Sequence, residues 1–170
     1  MSISFLRFKQ RTQPDLDAWI ERSARSLQPL GFTPGTIILR ALRHDETRFR
    51  PEFITPLDLL CQTLADRLSC HYQPDHILKS RITLPGKHLT RTQRNNQLKD
   101  LFLIPHPITS LPPPPFLLID DILTTGATMR ALFCTLRCRY PASPICAFTL
   151  TRADYQAPTP SKSPSLPPKS

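Results

Sequence analysis

The chain has 170 residues, the length of one domain, with 22 Lys and Arg against 13 Asp and Glu for a formal charge of +9. It contains no run of 18 apolar residues, which excludes a membrane-spanning helix. Met1–Arg11 (MSISFLRFKQR) lacks the apolar core and small-residue cleavage site of a secretory signal, so the cytoplasm is the expected compartment, with no membrane partner.

In chain order, Leu16, Trp19, Ile20 and Leu27 mark an amphipathic helix that ends near Pro29-Leu30-Gly31. Thr36–Leu42 (TIILRAL) reads as a buried strand. Thr55-Pro56-Leu57-Asp58 is a Ser/Thr-x-x-acid start with proline at the first helical position. Behind it Leu57, Leu60, Cys61, Leu64 and Leu68 share one helical face. Short apolar strands follow at His76–Lys79, Leu101–Ile104 and Phe116–Ile119. Leu111–Pro115 (LPPPP) between them is a stiff extended surface loop. Met129, Leu132, Phe133 and Leu136 mark a helix that stops before Tyr140-Pro141, and Ile145–Leu150 is the last strand. Strands without strict alternation, separated by helices, predict an α/β domain with a mainly parallel central sheet flanked by helices. The expected organisation is a helical segment at 1–33, the α/β domain at 34–155 and a disordered Pro/Ser-rich tail at 156–170.

Five cysteines, an odd number with no CxxC, argue against a disulfide framework or a four-ligand zinc site. Cys134 and Cys138, four apart on a helix, read as buried or half-buried thiols. The five histidines are scattered and read as surface or structural residues. Positive charge is concentrated: His76–Lys99 holds Lys79, Arg81, Lys87, Arg91, Arg94 and Lys99 and no acid. Such a segment implies an anionic partner, a phosphate-bearing small molecule or a nucleic acid, unless it is simply a solvated basic face.

The stretch Phe116–Met129, FLLIDDILTTGATM, carries the chemistry. A buried strand ends in two adjacent carboxylates, Asp120 and Asp121. Thr124, Thr125, Gly126, Ala127 and Thr128 then lead into a helix. Ligands of open α/β sheets bind beyond the carboxyl ends of the strands. A Thr/Gly turn at a helix N-terminus favours a phosphate through backbone N–H groups, hydroxyls and the helix dipole. The neighbouring carboxylates repel phosphate but accept hydrogen bonds from hydroxyls. A phosphate beside a vicinal diol describes ribose 5-phosphate.

This segment resembles the phosphoribosyl-diphosphate-binding signature of the type I phosphoribosyltransferases. The resemblance implies that Asp120 and Asp121 hold the ribose hydroxyls as the catalytic acids and that Thr124–Thr128 hold the 5-phosphate. It also implies Mg²⁺ carried by the diphosphate, and a flexible hood over the site. Leu78–Phe102 narrows the resemblance to the ComF/GntX-type competence branch: Arg81, Thr83, Leu89, Arg94 and Phe102 fit that pattern, whereas Gly86 and Gln97 stand where Gln and Asn are usual. Within the hood Lys87, Arg91 and Arg94 are the expected diphosphate contacts.

The branch's V-P-V-P and R-G-F-N-Q motifs are not intact. Their places read Ile37–His44 (IILRALRH) and Arg50–Thr55 (RPEFIT), where Arg40, Arg43, Arg48 and Arg50 either supply charge in another geometry or are surface residues. The branch's N-terminal cysteine zinc module is expected to be absent. Base recognition is expected at Phe148–Arg152 (FTLTR), beyond the last strand. Three functions stay open: transfer of phosphoribosyl to a nitrogen nucleophile; non-catalytic binding of phosphoribosyl diphosphate or a nucleotide in DNA uptake or regulation; and nucleic-acid binding through the basic hood.

Overall fold

A computed structural model describes residues 3–85 and 89–153 of the chain. Four parallel strands form the central sheet: β1 (Ile37–Arg40), β2 (His71–Tyr72), β5 (Phe116–Leu123) and β6 (Ile145–Arg152), in the order β2-β1-β5-β6. A separate antiparallel pair, β3 (Leu78–Lys79) and β4 (Phe102–Leu103), together with helix α4 (Arg91–Leu98), forms the hood. Helices α1 (Ile3–Lys9), α2 (Gln13–Leu27), α3 (Pro56–Leu68) and α5 (Ala127–Arg139) complete the fold. The α/β class with a parallel sheet flanked by helices is the one expected from the sequence.

The apolar runs are buried on both faces of the sheet, as strands of a parallel sheet require. Ile38, Leu117 and Ile119 point to one side, into a core made by Phe5 and Phe8 of α1, Leu16, Trp19 and Ile20 of α2, and Leu60, Cys61 and Leu64 of α3. Ile37, Leu39, Phe116 and Leu118 point to the other, against Met129, Leu132 and Leu136 of α5 and Leu98, Leu101 and Phe102 of the hood. Each fully buried Leu or Phe contributes about 1.5–3 kcal/mol. His76 is buried in this second core, stacked on Phe116 and 3.1 Å from the Tyr140 hydroxyl, a structural histidine.

Local signals explain the element ends. Thr55 caps α3 through a complete capping box with Asp58, and Pro56 opens it. The chain leaves α2 through a 3-10 turn at Gln28–Leu30 and Gly31, whose φ of 63° suits glycine. Two expectations need correction. Cys134 and Cys138 are exposed on the outer face of α5. Phe148–Arg152 does not lie beyond the last strand; it is strand, paired with β5 through Asp120↔Thr149 and Leu123↔Arg152. The expected 156–170 tail lies outside the described residues.

The topology fixes where a ligand can sit. β1 leads through α3 to β2 on one side, and β5 leads through α5 to β6 on the other. The chain therefore switches direction between β1 and β5, the place where open α/β sheets form a crevice. The register sharpens it: β1 ends at Arg40 opposite Ile119, and after the Ala41 N–H bonds the Ile119 carbonyl at 2.8 Å the chain peels away. β5 runs on for four residues, paired with β6 alone, and the first two of those are Asp120 and Asp121.

Candidate functional site

The outrun end of β5 carries the acidic pair into the wall of two cavities. One, about 320 Å³, lies under the hood; Asp120, Asp121, Thr124 and Thr128 line it from below, and Leu84, Leu98, Leu101 and Phe102 from above. The other, about 470 Å³, lies between α1 and the loop after β1; Phe8, Lys9, Arg43, His44 and Thr55 line it together with the same two acids. Burial, and then the neighbouring Asp121 charge, push the Asp120 carboxyl up to about 7. The Asp121 N–H donates to Asp120 Oδ1 at 2.8 Å, and Lys9 Nζ sits 2.6 Å from Asp121 Oδ2. The pair is thus unsymmetrical: one carboxyl is pressed towards its neutral form, and its neighbour faces a cation.

The threonine turn follows directly. Gly126 adopts φ 69° as the N-cap of α5, and the Arg130 guanidinium donates to the Thr125 carbonyl at 3.2 Å. The Ala127 N–H is turned onto Thr125 Oγ1 at 3.4 Å. The thirteen-residue α5 starts here, so its positive end points at the cavity. An added Cβ at residue 126 would meet Leu123 Cδ1 at 3.4 Å, and the positive φ strains any side chain. Gly126→Ala is therefore expected to cost about 1 kcal/mol of stability in urea titration.

The loop after β1 is held from two sides. Arg40, with a side chain only 1% exposed, donates to Asp58 and, at 2.7 Å, to Glu46 Oε2. Glu46 also accepts the Arg43 N–H at 2.8 Å. Asp58 in turn accepts from the Tyr72 hydroxyl and the Thr55 N–H and hydroxyl. Burial opposes ionisation of Asp58, but the Thr55 and Tyr72 hydrogen bonds and the Arg40 charge outweigh it and hold its carboxyl below the usual range.

From the hood, Lys79 Nζ donates to the carbonyls of Arg43 at 2.7 Å and His44 at 3.2 Å, and to Thr83 Oγ1 at 3.3 Å. Burial lowers its ammonium to about 8 against the opposing charges of Glu46 and Asp45. Lys79 thus ties hood to loop and is not a surface charge.

Of the residues singled out in the sequence, Asp120, Asp121, Thr124 and Thr128 share one cavity wall. Arg40 is not a surface residue; it lines the second cavity as a buried strut held by Asp58 and Glu46. Arg43 lines the second cavity while paired with Asp45 at 3.0 Å, and Arg48 and Arg50 are exposed. Lys87, and the side chains of Arg91 and Arg94, lie outside the described residues. Arg81 is turned onto the carbonyls of Gln97 and Lys99 at the end of α4. Lys9, His44 and the apolar hood residues were not foreseen as site residues. The spacing of Phe5 and Phe8 in SFLRFK is the signal that could have revealed a short helix with Lys9 on its last turn.

No protein-family profile matches the chain. It is similar to the DNA utilization protein YhgH of Salmonella typhi, 35% identical over 75 residues that make up 44% of this chain and 32% of that protein. The same protein of Escherichia coli strain K12 is 30% identical over 75 residues, with the same coverage. The chain thus spans about a third of the length of the curated relatives it matches. Among solved structures, a hypoxanthine phosphoribosyltransferase from Staphylococcus aureus aligns with TM-score 0.48 and 17% identity, covering 86% of this chain and 72% of that one. A hypoxanthine-guanine-xanthine phosphoribosyltransferase aligns with TM-score 0.47 and 20% identity, covering 86% and 73%.

Proposed function

We propose that the chain binds phosphoribosyl diphosphate at the end of β5 and transfers its phosphoribosyl group to a nitrogen nucleophile, releasing diphosphate. The observation that carries this reading is the single cavity wall shared by Asp120, Asp121, Thr124 and Thr128. The threonine turn and the start of α5 grip the 5-phosphate. The acids accept hydrogen bonds from the 2- and 3-hydroxyls. Binding energy from the remote phosphate then orients C1, where the bond to nitrogen forms as the bond to the diphosphate oxygen breaks. Leu84, Leu98, Leu101 and Phe102 exclude water from that carbon.

Among the described residues no group of three or more His, Cys, Asp or Glu gathers to hold a metal. The two carboxylates can accept hydrogen bonds from sugar hydroxyls, and Mg²⁺ would arrive on the diphosphate. When bound, Mg²⁺ neutralises charge on the leaving diphosphate.

The similarity to DNA utilization proteins favours a second reading, in which the same site binds a phosphoribosyl compound or nucleotide without turnover in a competence-related role. For nucleic-acid binding through the basic hood, Lys79 is buried and held by loop carbonyls, whereas Arg81 and Lys99 are exposed. Among the described residues no helix is long and apolar enough to cross a membrane. Labelled phosphoribosyl diphosphate, Mg²⁺ and a panel of nitrogen bases decide between the first two readings. Release of labelled diphosphate with one base is expected; saturable binding with no release under any of them would establish the non-catalytic reading.

A further inference from the structure

The acidic pair faces a cation that no part of the signature supplies. α1 is anchored by Phe5 and Phe8, both fully buried and packed on Trp19, so its last turn is fixed in the main core. That anchoring sets Lys9 Nζ 2.6 Å from Asp121 Oδ2, with its side chain 41% exposed. Lys9 lines the 470 Å³ cavity and also one of about 380 Å³ that is lined by Arg11, Arg43 and Arg50 together with Asp45 and Glu46. The other cations near the acids are committed. Arg40 is held by Asp58 and Glu46, Lys79 by two carbonyls and a hydroxyl, and Arg43 by both carboxylate oxygens of Asp45.

We infer that Lys9 is an anion-binding residue of this site: its ammonium bridges Asp121 and a diphosphate group seated between α1 and the loop after β1. This rests on the phosphoribosyl reading above and adds a residue from outside the strand–turn–helix segment to it. The geometry has a simple electrostatic basis. Two adjacent carboxylates repel a polyphosphate, and one ammonium on the shared wall offsets that repulsion while keeping two further donors for phosphate oxygens. A lysine suits this place better than an arginine already locked into a bidentate pair, because a point charge on a flexible stem can serve two anions at once.

The test compares wild type with Lys9→Ala and Lys9→Arg by calorimetry against three probes: inorganic pyrophosphate, ribose 5-phosphate and phosphoribosyl diphosphate. Lys9→Ala is expected to weaken pyrophosphate and phosphoribosyl diphosphate about tenfold or more, the scale of one charged hydrogen bond. Ribose 5-phosphate should change by less than about threefold on the same scale. Lys9→Arg should recover most of the loss, and thermal unfolding should show the variants folded. Equal weakening of all three probes would mean that Lys9 acts only through Asp121, and unchanged pyrophosphate affinity would mean that it binds no anion; either overturns the inference. Lys9-dependent pyrophosphate binding in a wild type that ignores ribose 5-phosphate would keep the inference and sink the phosphoribosyl reading. A wild type that binds none of the probes sinks both.

Discussion

Replacing both acids, Asp120→Asn with Asp121→Asn, is expected to abolish phosphoribosyl-diphosphate binding while the fold stays intact. Each carboxylate accepts a hydroxyl hydrogen bond that an amide reproduces poorly. Charged hydrogen bonds contribute about 1.5–3 kcal/mol each, so losing two lowers affinity by roughly 10²- to 10⁴-fold. Calorimetry that returned an unchanged affinity would defeat the site assignment.

Stability should move the other way for the single change Asp120→Asn. Burial and then the Asp121 charge push the folded carboxyl up to about 7, whereas an unfolded aspartate has a pKa of about 3.9. Between those values the folded chain holds a proton that the unfolded chain has released, so wild-type stability falls as pH rises through this window. The neutral asparagine escapes that penalty. Urea titrations should show Asp120→Asn more stable than wild type by about 1–3 kcal/mol at pH 8, with the gap closing towards pH 4.

The second large effect lies beneath the site. Asp58→Ala is expected to cost about 3–5 kcal/mol, because it takes one of two carboxylates from the buried Arg40 and removes the Asp58 half of the α3 capping box. In a domain of about 5–15 kcal/mol total stability, that is a large share. The signs in pH are opposite to those of Asp120. The Asp58 carboxyl titrates below its ordinary value, so its contribution is present above pH ~4 and is lost as pH falls below it. Because Glu46 also holds the Arg43 N–H, the loop after β1 should loosen in this variant, seen as faster amide exchange at Arg43. A loss under about 1 kcal/mol in urea titration would show that the network only fills space.

The sequence made the site's floor legible and left its walls obscure. FLLIDDILTTGATM combines a buried strand, an acidic end and a glycine turn in consecutive residues, so local physics is enough to read it. Thr55-Pro56-Leu57-Asp58 was equally plain, because a capping box is a contact between residues three apart. The function of Arg40 was not, since its partners lie six and eighteen residues away and only folding joins them. α4, RTQRNNQL, has no apolar periodicity to announce it, and β2 is two residues long, too short for any pattern, whereas β3 and β4, equally short, lie inside the apolar runs His76–Lys79 and Leu101–Ile104 that mark them. Lys9 was hidden for a third reason: a seven-residue helix has little propensity signal, and its place in the molecule comes from two phenylalanines finding Trp19.

The way α1 and α2 cover Ile38, Leu117 and Ile119 bears on how the site can be transplanted or trimmed. The proposed boundary at residue 33 separates the strand that bears the acids from half of what shields its underside. A fragment begun at residue 34 would present a bare greasy plane to water and invite self-association before any ligand was met. Chimeras that borrow this binding crevice therefore have to borrow the leading helices as well.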